Sequence, residues 1–146
     1  GLDANDGMVG FAYGTSMVLN MIASGANAQH KAWQTVHGDR RVRNPNSRYV
    51  AGAIFSGLGV AAIATHFALV YSNAQNPCTS YECNVPRRAL WIAMSDGGAL
   101  LLNTGLGLSS WAGGYRSNVA KYQRRQLSVV PGAAGGGFGA TMSLRF

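Results

Sequence analysis

Two cysteines are the first residues in this sequence that could carry chemistry. Cys78 and Cys83 form a C-x4-C pair in the polar, turn-rich stretch NPCTSYECN. In an oxidising compartment such a pair closes a small disulfide ring, and otherwise it would remain as two free thiols. A zinc site would need two further ligands, and neither a second cysteine pair nor a nearby histidine supplies them. The spacing favours a disulfide and predicts no metal site.

Three polar side chains fall inside apolar stretches, namely His66, Asp96 and Asn103. Asp96 and Asn103 are seven residues apart, so they would share one face of a helix. Ionisable groups inside a membrane are costly and often belong to proton relays or ion paths. His66 could also ligate a haem or a chlorophyll. We favour the structural alternative, in which one buried hydrogen bond between His66 and Asp96 fixes the register of two helices.

No catalytic constellation can be assigned from the remaining residues. Three histidines and five carboxylates give neither a Ser–His–Asp set nor a Cys–His set. The run GLGVAA at 57–62 matches a dinucleotide-binding motif by letter, but it lies within one apolar stretch. Position 77, where that motif needs an acidic residue, is proline. We therefore expect no enzyme activity and no cofactor.

The composition indicates a membrane protein or a subunit buried in an assembly. Apolar residues make up 47% of the 146 residues and charged residues only 12%, about half of the roughly 25% usual in globular domains. A soluble domain so poor in charge would struggle to cover its surface. Because the chain begins at Gly1 and not at Met, we also expect that a signal peptide was removed, with an engineered or proteolysed start as the alternative.

Stretches with almost no charge divide the chain into three apolar segments, at 7–26, 51–72 and 89–113. Each is long enough for the roughly 20 residues that cross a bilayer as a helix, although buried helices of a soluble oligomer would look similar. Basic residues concentrate between the first two segments and after the third, which is typical of the cytoplasmic side. The cysteine loop would then lie on the opposite side. Such loops explain the net charge of +7 without nucleic acid, and they could contact anionic lipid.

Small residues recur four apart within these segments. The most regular stripe lies in the second segment, and a shorter stripe of Gly52 and Ser56 runs beside it. Small stripes allow the close backbone approach by which membrane helices associate. The predicted packing set is Gly10, Gly14, Ala53, Gly57, Ala61, Thr65, Gly105 and Ser109.

The C-terminal residues GGGFGATMSLRF alternate between apolar and polar side chains, which predicts a half-buried strand. Its apolar face carries Phe138, Met142, Leu144 and Phe146. The stretch LSVV at 127–130 would pair with it as a hairpin. The outer edge of a hairpin exposes unpaired backbone groups, which invite pairing with another chain. We therefore predict that this strand takes part in assembly.

Two family resemblances attach to this tail. The last nine residues, FGATMSLRF, resemble the terminal strand of bacterial outer-membrane barrel proteins. The small-residue-rich apolar helices followed by LSVVPGAAGGGFGATMSLRF resemble the tails of poorly characterised envelope proteins from myxobacteria and their relatives. The second resemblance implies an envelope location and no activity. A whole-chain barrel would need about eight alternating strands, and VAAIATHFALV and ALWIAM do not alternate.

Together these patterns predict a mainly α fold with about three small-residue-rich helices. Residues 1–126 would form a helical membrane domain, and residues 127–146 a β-hairpin tail. The predicted function is a non-enzymatic structural subunit of a bacterial cell-envelope membrane assembly. Its predicted partners are membrane lipid and further copies of itself or an envelope complex, and not nucleic acid. The alternatives are a small outer-membrane β-barrel or pore, and a secreted subunit of a filament or tube.

Overall fold

The fold is mainly α, as predicted. The computed structural model describes residues 4–38, 40–77, 80–126, 129–134 and 137–142, and the side chains of residues 11–38, 40–77, 80 and 82–125. Three helices account for most of these residues: α1 (Ala4–His37), α2 (Asn46–Gln75) and α3 (Tyr81–Gln126). Each of the three apolar segments identified in the sequence lies inside one of these helices.

Every helix extends beyond its apolar segment. Helix α1 continues to His37 and is followed by Gly38, whose backbone N–H donates to the carbonyl of Gln34 at 3.0 Å, an arrangement common at helix C-termini. Helix α2 ends at Gln75, immediately before the Asn76–Pro77 pair, because a residue that precedes proline disfavours helical geometry. The segment between α1 and α2 is therefore only residues 38–45, and the segment between α2 and α3 only residues 76–80.

Helix α3 is the central element, and the other two helices pack along it. Tyr13 and Asn20 of α1 contact Asp96 and Asn103 of α3 in the same order, so α1 and α3 are parallel. Helix α2 runs antiparallel to α3. In the described part of the chain α1 and α2 do not pack on each other. Segment 38–45 and the basic C-terminal end of α3 consequently lie at one end of the bundle, and segment 76–80 lies at the other.

Arg87 lies near the start of α3. Its guanidinium donates to Asn73 Oδ1 at 3.0 Å and to the carbonyl of Asn76 at 3.3 Å. Asn76 is the residue that follows α2, where a cation is favoured by the helix dipole. Arg87 thus ties α3 to the C-terminal end of α2.

In the C-terminal tail, the predicted hairpin would consist of β1 (Val129–Ala134) and β2 (Gly137–Met142), with Val129 opposite Met142. The side chains of Phe138 and Met142 lie outside the described side chains, and Leu144 and Phe146 lie outside the described residues altogether. The hairpin and its role in assembly therefore stay predictions. A whole-chain barrel is wrong, because helices occupy the residues that would have to form its strands.

The described core consists mainly of small side chains. Its buried apolar residues are Ala28, Ala32, Ala99, Ala112, Tyr115 and Val119. Large apolar side chains lie outside, with Phe67 66% exposed and Leu100 64% exposed. In water, each large side chain left exposed forgoes roughly 1.5–3 kcal/mol of burial free energy. The distribution is inverted relative to that of a water-soluble domain.

Candidate functional site

Glycines bring the backbones of α2 and α3 into direct contact. A Cβ atom added to Gly59 would lie 2.5 Å from the amide nitrogen of Leu102 and 2.7 Å from the carbonyl oxygen of Gly98. A Cβ added to Gly52 would lie 2.8 Å from the carbonyl oxygen of Gly105. Backbone atoms cannot move aside as the end of a flexible side chain can. Only glycine therefore fits at these positions with the helices as they are.

The small-residue stripe singled out in the sequence does not make this contact. Its four members, Ala53, Gly57, Ala61 and Thr65, are all exposed, and a Cβ added to Gly57 would meet nothing within 4 Å. Gly14 of α1 is open in the same way, and Gly10 lies outside the described side chains. Among the described residues, the stripe therefore lies on the exposed side of α2.

The α2–α3 contact instead uses two glycine pairs, of which sequence reasoning missed Gly59 and Gly98. Gly52 and Gly59 are seven residues apart on α2, and Gly98 and Gly105 are seven apart on α3. Seven residues are close to two helical turns, so each pair lies on one face. Matching spacings on two helices were the available signal. Two members of the predicted packing set, Gly105 and Ser109, do lie in this contact, both against Gly52.

Helix α1 is held to α3 by polar side chains. The Tyr13 hydroxyl donates to Asp96 Oδ1 at 3.0 Å, and Asn20 Nδ2 donates to Asn103 Oδ1 at 2.8 Å and to the Asn103 carbonyl at 2.9 Å. Gly107 makes room for Asn20, since a Cβ there would lie 2.7 Å from Asn20 Nδ2. Asp96 and Asn103 share the face that meets α1. Hydrogen bonds between helices fix their register most effectively where water is absent.

The predicted hydrogen bond between His66 and Asp96 is not formed, and that interpretation was wrong. His66 Nδ1 lies 3.1 Å from the carbonyl oxygen of Trp91, to which it donates, while Asp96 accepts from Tyr13 of α1. His66 belongs to the α2–α3 contact and Asp96 to the α1–α3 contact, so the two side chains serve different pairs of helices. All three predicted buried polar residues are half-buried and hydrogen-bonded.

Cys83 lies at the end of the bundle where α2 ends and α3 begins. Cys83 is half-buried in the first turn of α3. Cys78 lies outside the described residues, so the predicted disulfide stays a prediction.

A basic pocket lies at the other end of the bundle. It is a cavity of about 290 Å³, into which all three helices and segment 38–45 contribute side chains. Its basic residues are Lys31, Arg40, Arg41, Arg43 and Arg48, and its aromatic residues are Trp111 and Tyr115. Sequence reasoning identified the basic connection but not the aromatic residues, which lie more than 60 positions further along the chain.

Aromatic stacking holds one side of this basic pocket. The Arg48 guanidinium lies 4.0 Å from the centre of the Trp111 ring, a cation–π contact. The Trp111 and Tyr115 rings stack with their centres 5.0 Å apart. The Tyr115 hydroxyl accepts from the backbone N–H of Arg43 at 3.3 Å and donates to Thr35 Oγ1 at 3.2 Å. Tyr115 thereby ties segment 38–45 to both α1 and α3.

The outer surface of α2 is the other candidate functional surface. By length and composition, α2 is the one helix in the described part of the chain that could span a membrane. Only 6% of its most apolar stretch is buried inside the protein. The central helix of a soluble protein would instead be mostly buried. The polar residues that make α1 and α3 less apolar, such as Asn20 and Asn103, lie in the contact between those two helices.

In comparisons with known proteins, the chain matches no family model, no curated protein and no solved structure.

Proposed function

We propose that this protein is a non-enzymatic structural subunit of a bacterial cell-envelope membrane assembly. The observation that carries the proposal is the inverted distribution of side chains. Small residues fill the helix contacts, and large apolar residues cover the outside of the bundle. Such a surface is stable in lipid, where apolar side chains need no burial, and helices then associate through small residues and hydrogen bonds.

The same observation supports three spanning helices, with α1 and α3 crossing beside α2. Apolar side chains point outward on both, for example Leu19 and Ile22 of α1 and Leu100 of α3. The end with the basic pocket would face the cytoplasm, by the excess of lysine and arginine in segment 38–45 and at the end of α3. Cys78 and Cys83 would then lie in an oxidising compartment and form a disulfide. The resemblance of the tail to envelope proteins of myxobacteria is the reason that the proposal places this membrane in the bacterial envelope.

Self-association is the second part of the proposal. The exposed stripe of Ala53, Gly57, Ala61 and Thr65 is free for a neighbouring subunit, and its small side chains permit close approach. The C-terminal strand offers an unpaired edge to the same or another partner. A secreted filament subunit would instead bury its apolar surface against copies of itself. It would then remain in the soluble fraction as a large particle without detergent.

Membrane residence predicts how two exposed valines respond to lysine. Val60 lies midway along α2, and Val42 lies in segment 38–45. Val60→Lys would put a charge at the bilayer centre, at about 2.5–3.5 kcal/mol on insertion scales. We expect the native chain to stay in the membrane fraction after an alkaline wash, and Val60→Lys to lower the amount recovered there severalfold. Val42→Lys is the matched control and should leave recovery unchanged.

Two results would overturn membrane residence. One is equal recovery of the Val60→Lys and Val42→Lys variants in the washed membranes. The other is a native chain that remains in the soluble fraction as a large particle without detergent, which would favour the filament subunit.

The C-terminal strand is tested by assembly size. Deleting residues 138–146 should leave the helical circular dichroism signal nearly intact, because the last helix, α3, ends at Gln126. The deletion should reduce the particle size in detergent. Met142→Lys should act like the deletion, whereas Ser143→Lys, on the opposite face of the strand, should not. Full-size particles from the truncated chain would show that the strand is dispensable for assembly.

A further inference from the structure

We propose that the basic pocket binds the phosphate of an anionic phospholipid headgroup. The inference deepens the proposed function and rests on its membrane location, because a lipid ligand requires a bilayer. All three helices contribute side chains to this pocket. A structural subunit needs only the helix contacts and the tail, so a ligand here is an additional property.

The basic pocket carries several positive charges. Five basic side chains line the cavity, and no aspartate or glutamate of the described residues lines it; Asp39 lies outside the described residues. Lys31 Nζ is held by the neutral Gln34 Oε1 at 3.3 Å, and Arg48 by the face of Trp111. These contacts orient the cations without neutralising them. A phosphate would relieve the repulsion among them, and guanidinium groups bind its oxygens in a bidentate manner.

The basic pocket lies beside the end of the apolar helix α2. Arg48 lies in the first turn of α2, the helix that is long and apolar enough to span the bilayer. Trp111 lies in the same pocket, and Trp33 and Tyr49 are exposed on neighbouring turns. Tryptophan and tyrosine concentrate where the hydrocarbon meets the headgroups. The pocket is therefore at the level where lipid phosphates lie, on the side that positive residues mark as cytoplasmic.

The volume of the basic pocket suits a lipid headgroup. At about 290 Å³, the cavity is at the lower end of the roughly 300–1,000 Å³ typical of small-molecule sites. It has room for a glycerophosphate headgroup, while acyl chains would stay outside along the apolar helix surface. The basic side chains come from α1, segment 38–45 and α2. The aromatic rings of Trp111 and Tyr115 come from α3, so the site exists only when the bundle is folded.

The test compares two double variants of the full chain in nanodiscs. Arg41→Gln with Arg43→Gln removes two pocket cations whose side chains form no hydrogen bond or ring contact with described residues. Arg124→Gln with Arg125→Gln removes the same charge from the exposed end of α3. Retention of phosphatidylglycerol against phosphatidylcholine is measured by native mass spectrometry, and folding by circular dichroism.

We expect the native chain to retain phosphatidylglycerol preferentially. The pocket variant should lose roughly ten- to thirtyfold in that preference, since each basic residue near an anionic surface is worth about fivefold. The control variant should change it by less than about threefold. Arg124 and Arg125 follow the pocket residue Tyr115 on α3 by about 13 Å of helix, which is longer than the Debye length of about 8 Å at physiological ionic strength. A third variant, Arg41→Lys with Arg43→Lys, keeps the charge but loses the bidentate guanidinium geometry, so it should retain more of the preference than the glutamine variant and less than the native chain.

Three results would overturn the proposal. They are no preference for phosphatidylglycerol, equal losses in the two glutamine variants, and inorganic phosphate competing with the lipid at equal concentration. The last would assign the pocket to a soluble phosphate and not to a headgroup. Failure here leaves the proposed function standing if the chain still resists the alkaline wash, so the two failures are distinguishable.

Discussion

Replacing Gly59 with leucine will force α2 away from α3 and strongly destabilise the native bundle. The new Cβ would lie 2.5 Å from the amide nitrogen of Leu102, whereas ordinary van der Waals contact begins about an ångström farther away. Overpacking costs 1–3 kcal/mol and occasionally more, and we expect a loss of about 3 kcal/mol or more because the obstructing atoms are backbone. The gain in helix propensity from glycine to leucine, about 0.8 kcal/mol, is too small to offset it.

Gly57 provides the matched control, two residues away on the same helix. A Cβ there meets nothing within 4 Å, so Gly57→Leu should melt at or above the native temperature in detergent. If the exposed stripe contacts a neighbouring subunit, Gly57→Leu will reduce particle size while each subunit keeps its helical signal. Thermal melting by circular dichroism and particle size by light scattering separate the two effects.

Equal melting temperatures for the Gly59→Leu and Gly57→Leu variants would contradict the assigned α2–α3 contact. Unchanged particle size with Gly57→Leu would mean that the stripe faces lipid.

The contrast between these two glycines marks how far the sequence could lead. Long stretches without charge predicted the three helices, because such stretches are rare outside membranes and buried cores. The stripe rule predicted close helix packing but selected Gly57 and its neighbours, since Ala53, Ala61 and Thr65 repeat at the same spacing as Gly57. Which of two adjacent stripes meets α3 depends on the rotation of α2, and tertiary contacts such as those of Gly52 and Gly59 determine that rotation.

Polar residues show a similar division. Asp96 and Asn103 were correctly expected on one helix face, because helical periodicity alone determines this. Their partners, Tyr13 and Asn20, could not be inferred, since the choice of which helix packs against that face is a property of the whole bundle. The prediction of a His66–Asp96 hydrogen bond was wrong for this reason. It paired two titratable side chains by type, whereas the Trp91 carbonyl lies beside His66 and the Tyr13 hydroxyl lies beside Asp96.

Helix ends and the basic pocket were beyond local reasoning for different reasons. The basic stretch between the first two apolar segments was interpreted as a connection, yet residues 27–37 of it continue α1, because lysine, glutamine and alanine are good helix formers regardless of charge. The pocket draws its aromatic platform from α3, far along the chain from Arg48. Only the parallel arrangement of α1 and α3 brings Trp111 and Tyr115 beside segment 38–45.

Tyr115 is the residue whose loss should most disturb this end of the bundle. Its side chain is only 2% exposed and packs with Ala28, Ala32 and Val119. Truncation of a buried aromatic side chain to alanine costs about 3–5 kcal/mol, and we expect Tyr115→Ala to lower the free energy of unfolding by this amount. Tyr71→Ala, at a tyrosine that is 68% exposed on α2, is the control and should change it by less than about 1 kcal/mol.

Tyr115→Phe separates packing from hydrogen bonding at the same position. The ring and its stacking on Trp111 remain, while the hydroxyl contacts to the Arg43 backbone and to Thr35 are lost. Each lost hydrogen bond costs about 1 kcal/mol, so the melting temperature should fall modestly. Segment 38–45 is held to α3 through this hydroxyl, and brief trypsin treatment should cleave after Arg40, Arg41 or Arg43 severalfold faster in Tyr115→Phe. Cleavage at the native rate would mean that the segment is held by other contacts, and that the hydroxyl does not position the cations of the basic pocket.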